Sequence, residues 1–68
     1  MIYNKIKYIK YYKLVLNHKK DTSAMTRLGL LYLNSDKSQN NFQEAEKYFK
    51  LAIINREYIN LYNLAELY

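Results

Sequence analysis

The sequence contains no cysteine, no proline, no tryptophan and a single glycine in 68 residues. Without cysteine, and with His18 as its one histidine, the chain has none of the disulfide, zinc or haem staples that often hold a fold this small. One glycine excludes collagen and any glycine-rich loop that cradles phosphate. The lack of proline leaves helices with few internal breakers. Long apolar runs are missing too. Lysine interrupts the first segment every few positions up to Lys13, and Leu14-Val15-Leu16 is the longest clean run there. That falls short of the roughly 7–15 residues of a secretory core and the roughly 20 of a membrane span. Ile2 stands where myristoylation needs glycine, and prenylation needs a cysteine. These absences predict a soluble intracellular chain, cytoplasmic by default, with at most one small domain. A domain of this length buries only about 60% of its unfolded surface, so its stability is marginal.

What is present is half apolar and one-quarter charged, 50% and 25%, too hydrophobic for a disordered segment. Asn, Lys, Ile and Tyr make up 32 of the 68 residues. AT-rich coding produces this bias, and it accounts for the nine tyrosines without any stacking role. The net charge of +5 is unevenly placed. Lys5, Lys7, Lys10, Lys13, Lys19 and Lys20 lie in the first 20 residues with no acid, while residues 21–68 hold five basic and six acidic side chains.

The apolar residues recur at helical intervals. Ile2, Ile6, Ile9, Tyr12 and Leu16 form one stripe. Asp21, Thr22 and Ser23 offer N-caps before a second face made by Met25, Leu28, Gly29 and Tyr32. The polar run from Asn34 to Asn41 reads as a loop. Asn41, followed three residues later by Glu44, resembles a capping box that opens a third face of Ala45, Tyr48, Phe49, Ala52 and Ile53. Ile59, Leu61, Leu64, Ala65 and Tyr68 form a fourth. The expectation is an all-α fold of four helices, roughly 2–18, 22–34, 41–55 and 58–68, stacked as antiparallel pairs in a short α-solenoid.

An internal repeat supports the stacking. Lys10-Tyr11-Tyr12-Lys13-Leu14-Val15-Leu16 aligns with Lys47-Tyr48-Phe49-Lys50-Leu51-Ala52-Ile53 at an offset of 37, with four of seven positions identical. Leu28-Gly29 aligns with Leu64-Ala65, and Tyr32 with Tyr68, at an offset of 36. A period near 36 that contains two helices is the signature of a helical repeat.

The spacing of Leu28-Gly29-x-x-Tyr32, Ala45, Tyr48-Phe49, Ala52 and Leu64-Ala65 resembles the Sel-one-like repeat, a relative of the tetratricopeptide repeat. The thirteen residues from Tyr32 to Ala45 fit that family. So does Asn41 ahead of the second helix. The resemblance covers one full repeat, roughly residues 22–57. Residues 2–19 look like the second helix of a preceding repeat and residues 58–68 like the first helix of a following one, so a fragment of a longer array, a truncated product or an oligomer is expected. In this reading Leu28, Gly29, Tyr32, Ala45, Tyr48, Phe49, Ala52, Leu64 and Ala65 pack the repeat, with the small residues letting helices approach closely. Ser35, Lys37 and Ser38 stand at the family's usual loop glycines and valine, Arg56 at its helix-ending glycine, and Asn60 at a small residue.

No chemistry-bearing pattern competes with this. His18 has no nucleophile at hand, and Ser23, Ser35 and Ser38 lack a glycine elbow. Asp36, Glu44, Glu46, Glu57 and Glu66 form no metal-ligand pattern, and the loop from Asn34 lacks the central glycine and terminal glutamate of a calcium loop. Neither an enzyme activity nor a cofactor is expected. The resemblance implies a scaffold module for protein or peptide partners, with Thr26, Arg27, Leu30, Leu33, Tyr62 and Glu66 facing its groove, self-association or flanking repeats completing its ends. One alternative is a basic first helix that binds nucleic acid or an anionic membrane surface; Lys5 and Lys7 lie about 200° apart on a helix, which disfavours a single binding stripe. Another is a truncated, non-functional remnant of a repeat protein.

Overall fold

The computed structural model describes residues 2–35 and 39–68, with side chains from Lys5 onward. Asp36, Lys37 and Ser38, within the expected loop, and the side chains of Ile2 and Tyr3 lie outside the described residues. The fold is all-α: α1 Ile2–His18, α2 Thr22–Leu33, α3 Gln39–Ile54 and α4 Ile59–Leu67.

Local chemistry sets the helix ends. Asp21, in extended conformation at φ −98° and ψ 105°, caps α2 by accepting a bond from the Ala24 N–H. This satisfies one of the orphan donors at the helix start. At the other end Asn34 Nδ2 donates to the Leu30 carbonyl and Ser35 Oγ to the Leu31 carbonyl, at 3.0 and 2.7 Å. These polar side chains do the terminating that glycine does elsewhere. Helix α3 ends differently. Arg56 adopts a left-handed φ of 71°, its N–H donates to the Ile53 carbonyl, and the Glu57 N–H donates to the Ala52 carbonyl. That pair of bonds is the Schellman pattern, usually built around glycine.

Helix α3 begins at Gln39, so Asn41 lies inside the helix and is not its cap. The apolar positions from Ala45 onward fix the phase of the helix but not its start. Glutamine is a fair helix former that composition alone assigned to the loop.

Successive helices pack antiparallel. Asn55 approaches Met25 while Tyr48 stacks on Tyr32, so α3 runs back along α2. Tyr68 returns to Phe42 and Glu46, so α4 runs back along α3. Helix α2 packs most extensively on α3 and also meets α1 and α4. Helices α2 and α4 run parallel, joined by Thr22 to Glu57 at 3.4 Å and by Asn60 to Thr26 at 2.8 Å. The result is a slab of 30 × 30 × 16 Å.

The core sits between α2 and α3. Leu28, Phe49, Ala45 and Ala52 are fully buried, and Ala24, Met25, Gly29, Tyr32 and Tyr48 are buried beside them. Gly29 faces Phe49 so closely that an added Cβ would stand 2.3 Å from the ring Cε1. The helices approach there because glycine has no side chain. Leu64 is half-buried against this core, whereas Ala65, expected to pack, is exposed. Ala65 lies on the side of α4 that turns away from α3.

Candidate partner-binding surface

Two clefts among the described residues lie on either side of α2. The first lies between α1 and α2. It has a volume of about 510 Å³ and is lined by Lys5, Tyr8, Tyr12, Arg27, Leu30, Leu31 and Asn34. The second lies between α2 and the start of α4. It measures about 360 Å³ and is lined by Ser23, Thr26, Arg27, Leu30, Glu57 and Ile59. Arg27 and Leu30 line both, so the two clefts flank one ridge of α2 and together form a trough divided along its middle. Spacing explains the pairing: residues 27 and 30 are three apart and share a helix face.

The trough is amphipathic. Leu30 and Tyr12 pack against the core from below, while Lys5 and exposed Arg27 bring cations and Glu57 brings an acid at the far end. Lys5 Nζ donates to the Asn34 carbonyl, which ties the start of α1 to the end of α2. Lys13, farther along α1, lies over the Tyr32 ring at 5.6 Å. Its ammonium is held above the usual lysine range, first by the hydrogen bond to Tyr32 and against a smaller opposing effect of burial.

Of the six residues expected to face a partner, the trough gathers three. Thr26 and Leu30 are half-buried in its wall and Arg27 is exposed. Leu33 instead packs against the core and lines neither cleft. Tyr62 is 67% exposed on the open side of α4, and Glu66 is exposed there as well. Lys5, Tyr8 and Tyr12 were not among these six, because residues 2–19 read as the second helix of a preceding repeat and only first-helix positions were expected to face the groove. The turn after His18 is short enough to bring α1 directly against α2.

Asn60 was also missed as a structural link. It is fully buried, donates to Thr26 Oγ1 and to the Glu57 carbonyl, and accepts from Asn63. Where the repeat pattern places a small residue, an amide instead fixes α4 to the trough-lining face of α2.

Among the described residues, no group of three or more His, Cys, Asp or Glu is placed to hold a metal ion. No helix among them is long and apolar enough to cross a membrane. No family model, curated protein or solved structure matches the chain.

Proposed function

We propose that the chain is a non-catalytic interaction module, one full helical repeat of the Sel-one-like kind with half-repeats on either side, whose trough takes up an extended segment of a partner protein. The observation that carries this reading is that Arg27 and Leu30 line both clefts. An apolar ridge with a cation beside it suits a peptide that alternates apolar side chains with carboxylates. Lys5 and Arg27 would meet the acids and Leu30 with Tyr8 the apolar groups. Charge-assisted bonds of this kind fix register, and apolar burial supplies most of the affinity. The parallel run of α2 and α4, one sequence period apart, supports the repeat reading.

Selection of a randomised displayed peptide library against the chain tests this. The expected winners carry Asp or Glu next to Leu, Ile or Phe, and they lose roughly tenfold or more in affinity on Arg27→Glu, as for a hydrogen-bonded charge contact. Peptides that bind equally well to the Arg27→Glu and Leu30→Glu variants would place recognition elsewhere.

A further inference from the structure

The charges around the trough do not cancel one another. Among the described residues the ion pairs are Lys47 with Glu44 and Lys50 with Glu46, all on α3. Arg27 and Glu57 line the same cleft, yet they are not paired. Charge is also divided between the two clefts. Lys5 and Arg27 line the one beside α1, with no acid in its lining. The one beside α4 has Glu57 as its acid.

Glu57 is a fixed acid. Its N–H donates to the Ala52 carbonyl and its own carbonyl accepts from Asn60 Nδ2 at 2.9 Å, which holds its backbone in the turn between α3 and α4. Its Oε2 accepts from Thr22 Oγ1 at 3.4 Å. The residue is half-buried. A carboxylate held in place, partly shielded from water and without a counter-charge, favours a cation brought to it.

The opposite charge is fixed at the other end of α2. Lys5 Nζ is anchored on the Asn34 carbonyl, as Glu57 is on Thr22. At 1.5 Å per residue the interval from Thr22 to Asn34 is about 18 Å along the helix axis. An extended chain advances about 3.3 Å per residue, so about six residues cover that distance.

We infer, on the reading of the trough as a peptide groove, that Glu57 selects a lysine or arginine of the partner segment, placed about six residues from an acid that meets Lys5, with an apolar side chain between them over Leu30. The partner segment is thus of mixed charge and not uniformly acidic. Thr22 and Arg27 lie five positions apart on α2, about 7.5 Å, which leaves separate places for the partner's base and its acid. A segment laid the other way in charge sets an acid against Glu57 and a base against Lys5 and Arg27, and such like-charge contacts reject it.

A randomised displayed peptide library selected on the native chain tests this, followed by titration of synthetic winners against Glu57→Gln and Glu57→Lys, with helix content checked by circular dichroism. Winners are expected to carry Lys or Arg about six positions from their Asp or Glu. Replacing that base by Glu should weaken binding to the native chain roughly tenfold or more. Glu57→Lys should invert the order and bind the Glu-bearing peptide better than the Lys-bearing one. Glu57→Gln keeps an acceptor for Thr22 and should lose the preference for the base while keeping native helicity. If Glu57 only holds α4 beside α2, both peptides weaken alike and no inversion appears, which overturns the inference. Winners that need Arg27 and Leu30 but carry no base also overturn it and leave the peptide groove standing. Winners indifferent to Arg27 and Leu30, or no winners at all, overturn both.

Discussion

At the scale of single residues, Gly29 and Phe49 set the distance between α2 and α3. A Cβ on residue 29 would stand 2.3 Å from the Phe49 ring, and that ring is fully buried with nowhere to turn. Gly29→Ala sets two opposed effects against each other. Alanine improves helix propensity by about 1 kcal/mol, while overpacking a filled core costs about 1–3 kcal/mol. The overpacking term prevails because the ring cannot move into solvent, and a net loss on the order of 1–2 kcal/mol is expected in urea unfolding. Adding Phe49→Leu should recover part of that loss relative to Phe49→Leu alone. A Gly29→Ala chain as stable as the native one would show that the helices separate without cost. A close helix approach at Gly29 was legible through the repeat resemblance, but the Phe49 ring that it meets was not. The left-handed conformation of Arg56 was not legible. Arginine has no preference for it, and only the bonds from Arg56 and Glu57 back to α3 hold it there.

At the scale of elements, the four helices were legible because their apolar spacing is helical and no proline interrupts it. The first helix, Ile2–His18, has the bounds expected, and the others differ from expectation by at most two residues at either end. What periodicity could not supply was the polar link between α2 and α4. Asparagine reads as a surface or turn residue, so Asn60 gave no sign of burial until Thr26 and Glu57 were placed around it. The docking of α4 on α3 ends in a titratable contact. Tyr68 donates to Glu46, and this bond, helped by Lys50 at 3.6 Å and opposed by partial desolvation, holds the Glu46 carboxyl below the usual carboxylate range. A depressed carboxylate stabilises the folded state above its unfolded value, and that contribution fades as pH falls through the folded one. The contact is open to solvent, so its effect on stability is small. Site-resolved NMR titration should find Glu46 below a reference glutamate peptide, and Tyr68→Phe should move it upward. An unmoved value in Tyr68→Phe would mean that the end of α4 is not docked in solution.

At the scale of the whole molecule, a thin slab cannot bury every apolar face. The core is confined to α2 and α3, while Ile6, Tyr11 and Leu14 on α1 and Leu61, Tyr62 and Tyr68 on or beside α4 remain open. In a stacked repeat, stability is a sum over layers and the interfaces between them, so covering one open face should raise stability in a countable way. The trough was only partly legible from the sequence because it depends on α1 folding against α2, a tertiary contact that no spacing within one helix encodes. The offset of 36 to 37 residues lies in residue identities alone.

The period also provides the sharpest test. A chain extended after Tyr68 by a copy of its own residues 33–58 continues the 36-residue register set by Tyr32 and Tyr68, and so supplies α4 with a second helix of the α3 kind. Urea unfolding at low protein concentration should then show a higher midpoint and a steeper dependence on denaturant, because Leu61, Ala65 and Tyr68 become buried and more surface is exposed on unfolding. An unchanged midpoint, with the added segment unfolded, would contradict the reading of this chain as stacked copies of one helical unit.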